Sequence, residues 1–294
     1  MRYVDVHIHS GLNDANARDS RFDGAALVSR LEQAGFDAGV VFSQQPTGML
    51  GSHRSGHDRL DDLMKSCEGQ EGKLFPVLWV HPDQPDIFDS IQEAAERGVV
   101  GFKCICTNFY VYEDKSLKML EAIAAVDKPI MFHSGILWDD TESSKYNRPL
   151  HWESLCTMPN LRFSLAHCSW PWYDECLALY GKFLTNHMKH PELNNEMYFD
   201  MTPGTPVPYR RDLYTKLLLS GYDVQHNILW GTDCHAEKYN PEWTKKWFRI
   251  DNAIMDELGE PEETRELIFH KNMERFFGLT DEKYTHRDLS GDGT

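Results

Sequence analysis

Two histidines near the start of the chain have a spacing that suits metal binding. Residues 3–9 read Tyr-Val-Asp-Val-His-Ile-His and end just before a polar segment that contains glycine. In a β-strand, side chains two residues apart project from the same face, so we expect His7 and His9 to point together from the strand end. Two neighbouring imidazoles on a rigid strand provide half of a metal site.

Three further polar residues follow apolar runs later in the chain. Residues 129–133 end in His133, residues 161–167 end in His167, and the run that begins at Ile228 leads into Asp233. Taken singly, a buried histidine is more often a hydrogen-bonded core residue, and an aspartate after Gly-Thr often caps a helix or lies in a turn. Their shared position after separate apolar runs indicates instead one site of nitrogen and oxygen ligands, suited to zinc or a similar divalent ion.

Eight short apolar runs must position these residues. We predict strands at residues 3–9, 38–43, 74–80, 99–105, 129–133, 161–167, 197–201 and 228–231. Helical spacing follows most of them, as at residues 25–31, 87–97, 117–126 and 212–219. This alternation predicts an α/β fold, a (β/α)8 TIM barrel whose strand ends converge at one mouth. A doubly wound open sheet is the alternative, but no glycine-rich dinucleotide fingerprint follows the first strand.

The chain shows no linker rich in proline, glycine or serine, so we predict a single barrel domain over residues 1–280. Residues 281–294 are polar and contain glycine, and we expect them to form a C-terminal tail. Three long connections, residues 44–58, 136–149 and 202–211, follow predicted strands. They should therefore lie at the end of the barrel where barrel enzymes place their active sites.

The composition argues against several classes of protein. Lysine and arginine number 30 against 46 aspartates and glutamates, a net charge of −16, and because an acidic surface repels phosphate backbones we expect no nucleic-acid partner. No apolar run is long enough to cross a bilayer and no secretory signal pattern is seen, so we expect no membrane association. The seven cysteines form no Cys-x-x-Cys pair, which favours reduced thiols in a cytoplasmic protein over a disulfide framework.

The ordered set of motifs resembles the amidohydrolase superfamily. The matching residues are Asp5-Val6-His7-Ile8-His9, Phe132-His133-Ser134-Gly135, Leu165-Ala166-His167-Cys168 and Gly231-Thr232-Asp233, and residues 268–279 resemble the last helix of one branch. That branch, amidohydrolase-2, includes lactonases and proteins like aminocarboxymuconate semialdehyde decarboxylase. The resemblance spans nearly the whole chain and depends on the order of the motifs, since each motif alone is weak.

The resemblance implies a role for each matching position. His7, His9, His133 and Asp233 match residues that hold a single metal ion, and His167 matches a histidine that contacts the substrate or the attacking water, or holds a second ion in binuclear members. The implied cofactor is a divalent metal, zinc in first place and manganese as the alternative, with one ion favoured over two. Asp233 and His167 are the implied catalytic residues: Asp233 would move a proton, and His167 would stabilise negative charge on the attacked oxygen.

Four other residues are candidates for substrate binding. Lys103 lies on the predicted fourth strand, where binuclear relatives carry a carbamylated lysine that bridges two metal ions; we favour a contact with a substrate carboxylate or a local salt bridge. Trp138 could form an aromatic wall or could cover helix ends. Arg210 could hold a carboxylate or phosphate in two-pronged fashion or could be solvated. His235 follows Asp233 closely and could touch the substrate.

Together these features predict a metal-dependent hydrolase that uses a metal-activated water on a small carbonyl substrate, such as a lactone, an amide or an ester. The alternative is non-oxidative decarboxylation of a small unsaturated or aromatic acid at the same site. A small-molecule phosphoesterase is less favoured, because related nucleases typically use a glutamate on the fourth strand, where this chain has Lys103. A metal-binding sensor and a plain structural barrel stay open as non-enzyme alternatives. We expect a small-molecule substrate, carboxylates included, and a homo-oligomer as in several relatives.

Overall fold

Parallel strands form the centre of the computed structural model, which describes residues 1–11, 20–46 and 54–281. The strands are β1 Val4–His9, β2 Ala38–Phe42, β3 Leu74–Trp79, β4 Gly101–Cys104, β5 Ile130–Phe132, β6 Arg162–Leu165, β7 Glu196–Asp200, β8 Ile228–Leu229 and β9 Cys234–His235. From β1 to β8 each strand pairs with the next one along the chain, and β9 pairs with β1. All of these pairings are parallel, as expected for strands joined by helical crossovers.

Helices follow the strands and cover the outside of the sheet. They are α1 Gly24–Ala34, α2 Gly56–Cys67, α3 Ile87–Glu96, α4 Asp114–Ala125, α5 Tyr173–Lys189, α6 Val207–Leu219, α7 Pro241–Leu258, α8 Glu262–Glu266 and α9 Asn272–Phe276, with a π-helical turn at Leu267–Lys271. One apolar cluster lies between sheet and helices and includes Leu31 and Phe102, whereas a second fills the inside of the sheet and includes Val40 and Tyr198.

The sheet closes between its first and last strands, although the eighth strand is broken into two short pieces. β8 pairs with β7, and β9 pairs with β1. In the break between them, the backbone N–H of Val6 donates to the carbonyl of Trp230 at 3.0 Å, and that of Asp233 donates to the carbonyl of His7 at 3.1 Å. The predicted (β/α)8 barrel is therefore confirmed, and the open sheet is excluded.

Asp5 reinforces this closure from outside the cavity. Its carboxylate accepts hydrogen bonds from the backbone N–H groups of Thr232 at 2.9 Å and His7 at 3.1 Å. It also accepts from the hydroxyl groups of Thr232 at 2.6 Å and Tyr239 at 2.8 Å. Complete burial raises the pKa of Asp5 to about 7 even though these hydrogen bonds lower it. One buried side chain thus joins β1 to the segment that carries Asp233.

A β-bulge in β1 decides which way its histidines face. The pairing with β2 advances three residues on β1, from Asp5 to Ile8, against two on β2. Val4 and Val6 belong to the cluster inside the barrel, whereas Ile8 packs outside with the helices. If the side chains of β1 simply alternated after Val6, His7 and His9 would lie on the outer face of the barrel. The extra residue of the bulge shifts this alternation by one, so that both histidines face inward.

Most predicted strands are present with earlier ends. β6 stops at Leu165, so that His167 lies in a short turn beyond it, and α6 begins at Val207, which shortens the predicted connection 202–211. Residues 47–53 of the predicted connection 44–58 and residues 282–294 of the predicted tail lie outside the described residues, and the single domain over 1–280 stays a prediction. In the part of the chain that the structure describes, no helix is both long and apolar enough to span a bilayer.

Candidate metal centre and cavity

The residues predicted at the strand ends line one cavity of about 380 Å³. His7 and His9 reach it from β1, His133 from the residue after β5, His167 from the turn after β6, and Asp233 from the break between β8 and β9. The side chain of His7 is 1% exposed and that of His9 12% exposed. The barrel thus brings all five residues to its carboxyl end, where parallel strands converge.

Three of these side chains form a compact triangle of donor atoms. His7 Nε2 lies 3.1 Å from His9 Nε2, and Asp233 Oδ1 lies 3.4 Å and 3.0 Å from these two atoms. A tetrahedral zinc site with bonds of about 2.0–2.1 Å has ligand-to-ligand edges of about 3.3 Å. The triangle therefore fits a divalent metal ion, and its two nitrogens and one oxygen are donors that such ions accept.

His167 lies next to His7 of this triangle, and His133 lies next to His167. The His167 ring centroid is 5.1 Å from that of His133 and 5.8 Å from that of His7. Buried His133 Nε2 has no hydrogen-bond partner among the described residues. A buried ring nitrogen without a partner is costly, and because His133 lines the same cavity this nitrogen is available to a metal ion or a substrate.

Asp200, at the end of β7, is a site residue that the sequence interpretation missed. Its Oδ2 lies 2.6 Å from Nδ1 of His7, and both side chains are at most 1% exposed. When Nδ1 carries the proton for this hydrogen bond, Nε2 keeps its lone pair for a metal ion. Carboxylates that accept from metal-ligating histidines fix this tautomer in the same way. The signal was present, because Asp200 follows an apolar run as His133 and His167 do.

His167 has an unusual backbone conformation and is held by residues that follow β7. It has a φ of 58°, in the left-handed region that non-glycine residues rarely adopt. Its Nδ1 lies 2.9 Å from the hydroxyl of Thr202, which also accepts from the His167 backbone N–H at 3.3 Å. A Cβ atom at Gly204 would lie 2.5–2.7 Å from atoms of this histidine, so only glycine permits such a close approach. Local strain of this kind concentrates at functional sites.

The charges in the cavity suit metal binding. Burial lowers the pKa of His7, His133 and His167, and repulsion from other cationic groups in the cavity adds to the effect. Burial raises the pKa of Asp233, but the hydrogen bond from His9 and the surrounding imidazoles outweigh it and hold that pKa well below its ordinary value. Neutral imidazoles and an ionised carboxylate are the protonation states that a metal ion requires.

Lys103 projects from β4 into the same cavity. The residue is 1% exposed, and its Nζ lies 5.2 Å from the centre of the Phe42 ring and 6.0 Å from that of Trp79. Burial lowers its pKa to about 8, although Asp200 and Asp233 act in the opposite direction. The structure gives Lys103 no hydrogen bond or ion pair with any described residue, so the local salt bridge offered as an alternative for Lys103 does not form there.

Two of the other three candidates for substrate contact line the cavity. Trp138 lies at the mouth and is 77% exposed. His235 also lines the cavity, with its ring centroid 6.0 Å from that of His9.

The structure does not bring Arg210 to the cavity. Its guanidinium is fully buried, with Nε and one terminal nitrogen each 2.7 Å from the carboxylate of Asp251. It also donates to the carbonyl of Met201 at 2.6 Å and lies over the Trp247 ring. Burial lowers the pKa of Arg210, but Asp251 outweighs this and raises it overall. Arg210 is thus neither solvated nor free for a ligand. Its hydrogen bond to Met201 instead fixes the backbone that follows Asp200.

Comparisons with known proteins agree with this architecture. The family model described as amidohydrolase matches residues 4–279, whereas a comparison with curated proteins gives no match. The solved 2,6-dihydroxybenzoate decarboxylase from Rhizobium has a TM-score of 0.66 and 13% identity, covering 95% of this chain and 99% of that chain. A protein described as a probable 2-pyrone-4,6-dicarboxylic acid hydrolase from Acinetobacter baumannii, with citric acid bound, gives 0.64 and 13%, covering 95% and 100%.

Dihydroorotase from Campylobacter jejuni has a TM-score of 0.57 and 13% identity, covering 96% of this chain and 85% of that chain. At such identities the structural similarity establishes the barrel and nothing finer. The family match covers nearly the whole chain and confirms the resemblance found in the motifs. This chain belongs to the amidohydrolase family, a family of enzymes.

Proposed function

We propose that the protein is a metal-dependent hydrolase that adds water to a small carbonyl substrate, such as a lactone, an amide or an ester. The observation that carries the proposal is the triangle of His7 Nε2, His9 Nε2 and Asp233 Oδ1, whose atoms lie within 4.8 Å of one another at the cavity. A triangle of this size in the wall of a ligand-sized cavity suits metal-assisted chemistry better than a purely structural role.

We assign one zinc ion to this site, with manganese as the alternative. His7, His9, His133 and Asp233 would hold it, and His167 would either face the substrate or hold a second ion. A bound divalent ion supplies Lewis acidity, which polarises a carbonyl and lowers the pKa of water from 15.7 to about 7. The low pKa values of the His7 and His133 imidazoles, which leave them neutral, and the ionised carboxylate of Asp233 support this assignment.

Asp233 would transfer the proton in this reaction, and His167 would stabilise the developing negative charge. The carboxylate of Asp233 is ionised and lines the cavity, and it would accept the proton of the attacking water and pass it to the leaving atom. Thr202 accepts from the His167 backbone and can donate to Nδ1, which leaves the proton on Nε2. That N–H would stabilise the negative charge that develops on the attacked oxygen.

Non-oxidative decarboxylation of a small unsaturated or aromatic acid is the second candidate. The observation that favours it is Lys103, a buried cation in the cavity that has no partner among the described residues. A cation there would hold a carboxylate beside the acid and base groups of the site. In this reaction Asp233, once protonated, would deliver a proton to carbon as carbon dioxide leaves.

Metal analysis and two substrate panels test the proposal. We expect one ion per chain in protein purified without chelators, and a loss of that ion in His7→Ala. Ester, lactone and amide panels should release acid, whereas a carboxylic acid panel would release carbon dioxide if the second candidate is correct. Protein that binds no divalent ion, or that carries its metal and is inert towards both panels, would refute the proposal, and phosphate release from small phosphoesters would favour a phosphoesterase.

Three broader expectations accompany this function. The seven cysteines are free and buried, which supports a reducing, cytoplasmic location. We further propose one domain over residues 1–280 and a homo-oligomer, which size-exclusion chromatography with light scattering would test.

A further inference from the structure

A pair of serine hydroxyls links the two turns that carry His133 and His167. Ser134 directly follows His133, Ser169 ends the turn that contains His167, and the two Oγ atoms lie 2.7 Å apart. Both serines are fully buried, so water does not compete for this hydrogen bond. The ring centroids of the two histidines lie 5.1 Å apart. The serine pair thus joins the segments that follow β5 and β6.

The backbones of the two turns also lie in direct contact. The Ile136 backbone N–H donates to the carbonyl of Trp170 at 3.1 Å. A Cβ atom at Gly135 would lie 2.4 Å from the same carbonyl oxygen, so only glycine permits this approach. The serine pair is therefore part of a close interface between the turns, and a shift of one turn must be accommodated by the other.

The direction of the shared hydrogen bond follows from the other partners of the two serines. Ser134 Oγ donates to the carbonyl of Asn147 at 3.1 Å. A hydroxyl has a single proton, so Ser134 accepts and Ser169 donates in the shared bond. The thiol of Cys176 is a further hydrogen-bonding neighbour of Ser169. Each serine thus has one partner outside the pair, and only a double-mutant cycle isolates the shared bond.

The turn after β6 is strained over three residues. His167, Cys168 and Ser169 have φ values of 58°, 44° and 59°, so three successive non-glycine residues are left-handed. Such a run persists only where the surrounding structure holds it. Thr202 holds the start of the turn through the backbone and ring of His167, and Ser134 holds its end through Ser169.

The other side of the pair is held by regular structure. The His133 backbone N–H donates to the carbonyl of Cys104 at 2.9 Å and continues the ladder between β4 and β5. The triangle of His7, His9 and Asp233 is carried by β1 and by the segment between β8 and β9, not by these turns. Loss of the serine pair should therefore release the strained turn and leave the triangle assembled.

We propose that Ser134 and Ser169 are positioning residues whose shared hydrogen bond keeps the His167 ring in the cavity. Ser134 lines the cavity, but its hydroxyl is engaged by Asn147 and Ser169, so the pair acts through the backbone of the turn. That His167 then stabilises charge on a substrate rests on the proposed function, whereas the positioning itself does not.

Hydrogen exchange of two backbone amides, followed by NMR in the protein as purified, tests the positioning. The His167 amide donates to Thr202 at 3.3 Å and the Trp170 amide to the His167 carbonyl at 3.0 Å, so both report opening of the turn. In Ser169→Ala and in Ser134→Ala we expect exchange about five- to tenfold faster than in the wild type. The double variant should fall short of the product of these effects by about fivefold, because both substitutions remove the same bond.

Ser164→Ala is the matched control. Ser164 lies on β6 and is fully buried, but its hydroxyl has no hydrogen-bond partner among the described residues. This variant should keep wild-type exchange at both amides and wild-type kcat. Ser134→Ala alters no left-handed residue, so it keeps the exchange test available if Ser169→Ala does not fold.

Turnover of the substrate that the panels identify gives a second readout. In Ser169→Ala kcat should fall about 10–100-fold, while KM and zinc affinity stay within about twofold of wild type. The reason is that His167 would act on charge that develops only in the transition state, and that the triangle does not depend on the turn. A general loosening of the barrel would instead weaken zinc binding as well.

Four results would overturn the proposal. They are wild-type exchange at both amides in the serine variants, single effects that multiply in the double variant, equal acceleration in Ser164→Ala, and faster exchange with unchanged kcat. The proposed function fails differently, by absence of metal or of turnover, and the exchange measurement needs neither.

Discussion

Replacement of Asp200 tests whether the barrel prepares His7 for a metal ion. The Oδ2 atom of Asp200 is 2.6 Å from His7 Nδ1 in a fully buried contact. A hydrogen bond to a charged group contributes about 1.5–3 kcal/mol, which corresponds to about 10–100-fold in an equilibrium constant. Asp200→Asn keeps the shape and loses the charge, so zinc affinity should fall about tenfold, whereas Asp200→Ala also loses the acceptor and should reach about 100-fold.

Zinc affinity is measured by competition with a chromophoric chelator at constant pH, after circular dichroism has shown that each metal-free variant is folded. Asp62→Asn is the matched control, because Asp62 is also a largely buried carboxylate that accepts a backbone hydrogen bond, from Ser20 at 2.8 Å, but it does not line the cavity. This control should lower stability and leave zinc affinity unchanged. Folded Asp200→Ala with a zinc affinity within about twofold of wild type would refute the reasoning.

Three further substitutions test other parts of the structure. Asp233→Asn keeps the side-chain shape but removes its proton-accepting charge, so in protein whose metal content matches the wild type single-turnover rates should fall about 10²–10⁴-fold; a fall below about tenfold would contradict the assigned role. Arg210→Met leaves buried Asp251 without its cationic partner and should lower the free energy of unfolding by about 3–5 kcal/mol in urea titrations, whereas a loss below about 1 kcal/mol would count against the pair. Burial raises the pKa of the Cys67 thiol from 9.0 to about 12, so as pH rises the unfolded chain loses this proton before the folded chain does. Between pH 9 and about pH 12 the free energy of unfolding should therefore fall by about 1.4 kcal/mol per pH unit. Cys67→Ala should remove that part of the slope, and parallel profiles for wild type and variant would disprove it.

The barrel and the approach of its strand-end residues could be predicted because both follow from local periodicity. Apolar runs separated by helical spacing define parallel units, and parallel units place their carboxyl ends together. His133 and His167 need only this rule to be placed near His7. Asp200 obeys the same rule at the end of β7 and could have been found with it.

Other features depend on contacts that the local pattern does not contain. Arg210 opens a helix, where an arginine can face solvent or the core, and the choice is made by Asp251 on another helix. The inward turn of His7 depends on a bulge whose register is set by β2, and the break in the eighth strand is set by Asp5. Such pairings between distant segments are invisible to a reading of periodicity alone.

The hydrogen bonds that Asp5 accepts from Thr232 and Tyr239 have a consequence for synthesis on the ribosome. These bonds span 227 and 234 residues of chain, so they cannot form until the last strands have been translated. Contacts of such long range carry a loop-closure cost and form slowly. The triangle of His7, His9 and Asp233 likewise joins the first strand to the last, so it cannot assemble before Asp233 has been translated and β9 has paired with β1.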